Sequence, residues 1–286
     1  MVVVTWAGRG LGRAYALDAA RAGAAVVVND VDGAEAAGVV AEIDRAGGAA
    51  VASDHSVADP AAVRSLVALA ASAYGRLDGL VVNAGRYHEA APWDEDVEQV
   101  RADVGVNVLG GIYCVAKAAR VLAAAGRGSI VIASSAGALG SRRIMTYAAT
   151  KGALASLTYA AALDLADRGV RVNAIAPVAL TRMTQGAFGR RVVPSGAGRA
   201  LLDGLDERAP ERIAPLVTYL LSDAAADVTG QFVRFGGSRL ALLPQPSLPD
   251  FDGVTADTWT HASIAAAFAG LLALQSFGVE RQRPVR

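Results

Sequence analysis

The 286-residue chain is short of several things, and each shortage removes a class of protein. It holds one cysteine, Cys114, so no disulfide can form within it; this fits a reducing compartment. It has no excess charge of either sign, with 27 acidic and 27 basic residues, which argues against nucleic acid or an anionic membrane as partner. Its longest strongly apolar stretch, residues 264–274, falls short of the roughly 18–20 residues that cross a bilayer. No basic-then-apolar leader opens it. The three histidines, His55, His88 and His261, show no metal-ligand spacing, so no metal is expected. Lysine is scarce: only Lys117 and Lys151 among the 27 basic residues. A lysine kept where arginine serves elsewhere draws attention to what a compact ammonium can do. These absences predict a cytoplasmic protein acting on a small molecule, without nucleic-acid or membrane partners.

What is present is alternation. Short β-branched runs at 2–5, 25–29, 49–52, 79–83, 129–133, 171–176 and 231–235 are separated by alanine-rich helical patterns at 11–22, 34–46, 60–74, 97–125, 146–167 and 213–222. Near-continuous apolar strands between helices predict a parallel sheet covered on both faces. The expected fold is α/β: a Rossmann-type doubly wound, seven-stranded parallel sheet, which binds ligands at the carboxyl ends of its strands. One domain over 1–243 is expected, with an irregular glycine-bearing segment at 181–208 as a substrate lid. A C-terminal extension, 244–286, holds the proline-rich break "LPQPSLPD" and an amphipathic helix over 254–277, read as packing on its own domain or a neighbouring subunit, or as a flap over a pocket.

Two stretches carry chemistry. In "VVVTWAGRGLGRA" a strand leads through Gly8, Gly10 and Gly12 into a helix. Glycines there let the backbone approach a pyrophosphate, and the helix N-terminus favours its charge. Arg9 and Leu11 belong to the same turn. Asp30 ends the second strand 18 residues after Gly12, where a carboxylate bonds a ribose diol and repels a 2′-phosphate. That predicts NAD over NADP, although Arg9 would suit a phosphate and Asp30 could instead cap the next helix. In "TYAATK", Tyr147 and Lys151 share a helical face at i, i+4. A nearby ammonium lowers a phenol's pKa, so Tyr147 could trade a proton with a substrate oxygen while hydride moves.

With these motifs in order, the sequence resembles the short-chain dehydrogenases/reductases of the YxxxK type over about residues 2–243. "TWAGRGLG" stands at the family's glycine motif, "VVNAG" at its N-A-G motif, and Asn107 in "GVNVLG" at its helix asparagine. "IASSAGALG" stands at the serine motif and "RVNAIAP" at the sixth strand. The family's serine lies 13 residues before its tyrosine, with glycines three and six residues after it. That spacing selects Ser134, through Gly137, Gly140 and Tyr147, over Ser135. The segments "AGRGLGRAYAL", "RMTQ" and "APLVTYLLSD" are further similar to the hydroxyacyl-CoA dehydrogenase region of the type 2 multifunctional enzyme and to stand-alone actinobacterial relatives.

The resemblance implies an NAD(P)-dependent oxidoreductase interconverting a secondary alcohol and a ketone. It makes Tyr147 the general acid/base and has Lys151 lower the Tyr147 pKa and bond the nicotinamide ribose. Ser134 orients the substrate oxygen, and Asn107 anchors a water linked to Lys151. It places the nucleotide along Gly8, Gly10, Gly12, Asn83, Ala84, Gly85, Pro177 and Thr181, with Ser56 and Val57 at the adenine. His88, Arg142, Ile144, Met145 and Met183 are expected in the substrate pocket. A homodimer or homotetramer is implied, built on the helices at 97–125 and 146–167.

The sequence departs from the family at two cofactor-side positions. Trp6 replaces the first glycine of the turn, and Val178 replaces the glycine that commonly follows the proline of "IAP". An indole at residue 6 must point to solvent, fold back on the sheet or enter the adenosine site, and only the last would block binding. Two alternatives therefore stay open beside a dehydrogenase. One is a non-redox enzyme (cyclase, lyase or isomerase) that keeps the acid/base set. The other is a non-catalytic binding protein.

Overall fold

The computed structural model describes residues 1–179, 208–245, 256 and 258–272. The chain divides into two compact units, Met1–Gln245 and Pro246–Arg286. The first opens with β1 (Val2–Thr5), α1 (Gly10–Arg21), β2 (Val26–Asn29), α2 (Gly33–Arg45), β3 (Ala50–Ser53), α3 (Pro60–Tyr74) and β4 (Gly79–Val82). A continuous helical run follows: α4 (Val97–Asp103), a π-helical turn (Val104–Leu109) and α5 (Gly110–Ala125). Then come β5 (Gly128–Ala133), a 3-10 turn (Ala136–Leu139), α6 (Met145–Ala166) and β6 (Val170–Pro177). Beyond residue 208 lie α7 (Pro210–Leu221), β7 (Phe232–Phe235) and β8 (Leu240–Leu243).

The strands form one sheet in the order β3-β2-β1-β4-β5-β6-β7-β8. β1 to β7 pair in parallel. The sheet has eight strands rather than the expected seven, because β8 pairs antiparallel with β7, Phe232 opposite Leu243 and Phe235 opposite Leu240. A hairpin needs only a short turn. Gly236 donates its N–H to the Arg239 carbonyl at 3.1 Å and Gly237 takes φ +82°, so "GGSR" reverses the chain.

Both sheet faces are covered, which is why the strands read as unbroken apolar runs. In β1, Val2 and Val4 pack with Ala14, Leu17, Val39 and Ile213 from α1, α2 and α7. Val3 packs on the other face with Val63, Leu66, Cys114 and Leu122 from α3 and α5. The helical run Val97–Ala125 is long and apolar enough to cross a bilayer by length and composition. Here Cys114, Val115, Ala118 and Leu122 bury its apolar stripe in the protein core instead. The thiol of Cys114 is pushed up to about 12 by that burial, so it is inert at neutral pH.

In the second unit the described helix is α8 (His261–Leu272), which starts later than the expected 254. Thr260 stops it from extending backwards: its Oγ1 accepts from the Ser263 N–H at 3.2 Å, and its own N–H donates to Ser263 Oγ at 2.9 Å. The expected lid at 181–208 lies outside the described residues apart from Arg208.

Candidate active site

The chain turns to opposite sides of the sheet on either side of β1 and β4, and the carboxyl ends of these strands are where such a fold opens a crevice. Thr5, the last residue of β1, builds the floor. Its Oγ1 donates to the Val81 carbonyl at 3.1 Å and accepts the N–H groups of Asn83 and Ala84 at 2.9 and 3.2 Å. Asn83 Nδ2 returns to the Thr5 and Trp6 carbonyls, both at 3.2 Å. β4 is thereby tied to the glycine-bearing turn.

In that turn a Cβ on Gly12 would sit 2.1 Å from the Trp6 carbonyl oxygen, so only glycine fits there. Arg9, the N-cap of α1, makes no cap bond with its side chain, and no acidic residue occupies the first turn. The first amides of α1 are thus left for an anion. The Gly8 N–H donates to Asp30 Oδ2 at 3.0 Å, and Asp32 N–H to Asp30 Oδ1 at 3.1 Å. Arg9 is paired with Asp32, at 3.0 Å, and with Glu35.

Trp6 does what the missing glycine would do. Its φ is +53°, the left-handed region, at a cost of about 1–2 kcal/mol for a residue with a Cβ. The half-buried side chain packs on the cluster beneath α3 and α5, and the residue forms part of the cleft wall.

A single cleft of about 360 Å³ runs from this turn to the Tyr147/Lys151 pair. Of the residues expected at a cofactor, its wall unites Arg9, Gly10, Leu11, Asp30, Asn83, Gly85, Tyr147, Lys151 and Pro177. Gly8, Gly12 and Ala84 stand behind that wall, in the turn contacts just described. Ser56 and Val57 are not brought to it. Ser56 Oγ accepts from Ala58 N–H at 3.3 Å, and Val57 is buried in the α3/α5 core. Thr181 and Met183 lie outside the described residues. The wall also holds Ser134, expected to act on the substrate, and Trp6, expected as a departure at the turn; Ala133, Ser135 and Ala179 were not expected there.

α6 presents Tyr147 and Lys151 one turn apart. Lys151 is buried, and its Nζ donates to the Ala133 carbonyl at 2.7 Å while standing 5.7 Å from the Tyr147 ring centroid. Among the described residues no carboxylate stands beside it, and burial lowers its pKa to about 8. A Cβ on Gly85 would come 3.1 Å from Nζ, so a side chain there would press on the ammonium. Tyr147 departs from expectation. Burial raises its pKa, and the opposing influence is a hydrogen bond from Ser135, so the phenol is held protonated at neutral pH.

Both Ser134 and Ser135 line the cleft beside Tyr147. Ser134 Oγ donates to the Lys151 carbonyl at 2.8 Å, which ties the end of β5 to α6. Ser135, 12 residues before Tyr147, accepts from the Gly137 N–H at 3.0 Å and is the hydroxyl that acts on the phenol. Consecutive residues leaving β5 point to opposite sides, so a shift of one residue exchanges the two hydroxyls.

Asn107 sits in the π turn, where its side chain is fully occupied. Oδ1 accepts from Arg86 N–H at 2.7 Å; Nδ2 donates to the Arg86 carbonyl and to Thr150 Oγ1, each at 3.0 Å. Of the expected substrate-pocket residues, the four described ones, His88, Arg142, Ile144 and Met145, are not on the cleft wall. Met145 is half exposed, and Ile144 is buried in an isolated bridge with Ala90. His88 lies between carboxylates, Nδ1 at 2.8 Å from Asp103 Oδ2 and Nε2 at 2.6 Å from Glu95 Oε2. Burial alone would lower the His88 pKa, but the bonds to Glu95 and Asp103 outweigh it and raise it.

A family model described as Enoyl-(Acyl carrier protein) reductase matches residues 6–237. The chain is 37% identical over 245 residues to the cis-4-hydroxycyclohexanecarboxylate dehydrogenase of Sinomonas cyclohexanicum, covering 85% of this chain and 97% of that protein. It is 34% identical over 294 residues to the hydroxyacyl-CoA dehydrogenase ChsB1 of Mycobacterium tuberculosis, covering 97% and 91%. Among solved structures, a short chain dehydrogenase from Mycobacterium avium superposes with a TM-score of 0.81 at 34% identity, covering 95% and 94%. A gluconate 5-dehydrogenase from Burkholderia cenocepacia in complex with NADP and tartrate gives 0.73 at 30% identity, covering 82% and 93%.

Proposed function

The chain belongs to the short-chain dehydrogenase/reductase family of oxidoreductases, and from that premise we propose that it interconverts a secondary alcohol and a ketone with NAD, using Tyr147 as the proton donor and acceptor. The observation that carries this reading is the one cleft that joins Asp30 and the open N-terminus of α1 to Ser135, Tyr147 and Lys151. Its lining suits a dinucleotide: an acid at one end, uncapped amides in the middle and a buried ammonium at the other. The chemistry supplied by a bound nicotinamide is the acceptance or return of hydride.

The remaining work falls to the chain. Tyr147, held as a phenol, donates its proton to the oxygen of a ketone, or recovers one from an alcohol in the reverse direction. Ser135 bonds the phenol and stabilises its ionised form. Lys151 places a cation one helical turn away and favours the same form. The charges near the turn support NAD over NADP: among the described residues Asp30, Asp32 and Glu35 surround Arg9, so a 2′-phosphate would meet more negative charge than positive. Two of the relatives are by name a cis-4-hydroxycyclohexanecarboxylate dehydrogenase and a hydroxyacyl-CoA dehydrogenase, which supports a secondary alcohol without selecting one.

Trp6 on the cleft wall favours a second reading, in which the nucleotide site is impaired and the acid/base set does proton-transfer chemistry alone. Calorimetric titration with NADH and NADPH separates the two. The expected result is tighter binding of NADH, with the preference reversed in Asp30→Arg. Absence of binding in the wild type, restored in Trp6→Gly, would replace the dehydrogenase by the non-redox reading.

A further inference from the structure

α6 carries Tyr147 and Lys151, yet its own N-cap is Ile144, whose side chain has no polar atom to offer the first amides. The acceptor comes from elsewhere in the chain. Glu95, 51 residues earlier in sequence, accepts from Thr146 Oγ1 at 2.9 Å and also from the Thr146 backbone N–H. A carboxylate is thus seated at the positive end of the helix, one residue before Tyr147, where the macrodipole favours it.

Glu95 is itself held. Its Oε2 bonds His88 Nε2 at 2.6 Å, and His88 Nδ1 bonds Asp103 Oδ2 at 2.8 Å. Arg86 Nε donates to Asp103 Oδ1 at 3.1 Å. The backbone N–H and carbonyl of Arg86 are the groups that Asn107 grips, and Asn107 Nδ2 donates to Thr150 Oγ1, which donates to the Tyr147 carbonyl at 2.8 Å. The circuit leaves α6 at Thr146 and returns at Thr150, the residues just before Tyr147 and Lys151. Thr146, Thr150, Asp103 and Asn107 are all buried. With His88 protonated, two cations face two anions and the charge closes. A group bonded at both ring nitrogens and both carboxylates has one geometry available to it, as a positioning element requires.

We propose that the Glu95–His88–Asp103–Arg86 chain positions the Tyr147/Lys151 pair, with Glu95 serving as the cap of α6. These are positioning residues, and the proposal rests on the dehydrogenase reading only for Tyr147's part in turnover. The test compares the full-length wild type with Glu95→Ala and Glu95→Gln, the second keeping shape and an acceptor. Two quantities are read: steady-state kcat and KM on the best secondary alcohol with NAD, and backbone amide exchange along residues 145–151.

Glu95→Ala is expected to lower kcat about tenfold or more with the KM for NAD within about twofold, since misplacement acts on the reacting geometry. Exchange should quicken at 145–151 and stay unchanged in α1, and Glu95→Gln should recover part of both losses. Unchanged kcat in Glu95→Ala overturns the proposal, whatever the exchange shows. So does exchange that rises throughout the chain, with Glu95→Gln no better than Glu95→Ala, because that is general destabilisation. If the wild type oxidises no alcohol and reduces no ketone, the dehydrogenase reading has failed separately. The exchange experiment then decides alone: loosening confined to 145–151 upholds the positioning chain, and equal protection in wild type and Glu95→Ala overturns it.

Discussion

Two adjacent hydroxyls, on Ser134 and Ser135, face different partners, and their removal should have different consequences. Ser135 bonds the Tyr147 phenol, so Ser135→Ala should lower kcat/KM by about 10²-fold, the usual effect of losing one donor aimed at developing charge. Ser134 bonds the Lys151 carbonyl, so Ser134→Ala should cost about 1 kcal/mol of stability and change kcat/KM only a few-fold. Steady-state kinetics and thermal unfolding of both variants check this; the reverse pattern would return the role to Ser134. Lys151 offers a second residue-scale test. Its folded pKa of about 8 lies below the ordinary value of 10.5. The native state therefore binds fewer protons than the unfolded chain between those values, and stability rises with pH across that window. Below pH 8 the full cost of burying the ammonium is in force. Lys151→Met should thus raise stability at pH 7 by on the order of 1–3 kcal/mol while abolishing turnover, and the gain should shrink as pH rises from about 8 to 10.5. A melting temperature at pH 7 equal to or below wild type would mean that the Ala133 carbonyl already offsets the burial.

At the scale of elements, the signals in the sequence were strongest where one period ran for several turns. α3 and the helical run from Val97 to Ala125 begin and end where the pattern does, because a proline at the start of α3 and glycines after both helices mark the limits. β8 was missed: four apolar residues without alternation do not announce a strand, although the "GGSR" between two apolar runs was a visible hairpin signal. The π turn at Val104–Leu109 left no mark in apolar periodicity, since it adds one residue to a turn without changing residue type. The site followed the same rule. Tyr147, Lys151, Asn83, Ser134 and the glycine turn were legible from the motifs and come to one cleft, whereas the neighbouring Ser135, whose influence lowers the phenol's pKa, was passed over by counting backwards from Tyr147. Strand direction, rather than distance along the chain, decides which hydroxyl meets the phenol. His88 was misread for a related reason: its two carboxylate partners come from a loop and from α4, and no local pattern links them. Trp6 was legible as a departure, and its φ of +53° explains why glycine is the usual solution at that point.

For the whole molecule, the surface that remains apolar predicts assembly. The sheet's two faces are filled, yet Leu163 on α6 is 78% exposed, and Ile112 on the adjacent α5 and Leu109 beside it are each 40% exposed. Single exposed leucines are ordinary, whereas apolar side chains bared on neighbouring helices favour burial against another surface. α6 also carries many alanines, which permit close helix approach. A second copy meeting the first across α5 and α6 through a two-fold axis would cover both helices at once, as a closed symmetric contact requires. The wild type should therefore run as a dimer or tetramer in light scattering coupled to size exclusion. Leu163→Arg would place a charge in the middle of the contact, where an unpaired buried cation is costly, and should shift the mass to a smaller species. Because Leu163 lies on the exposed side of its own subunit, the variant should keep the wild-type circular dichroism. A wild-type monomer, or an assembly whose mass is unmoved by Leu163→Arg, would place the contact on another face.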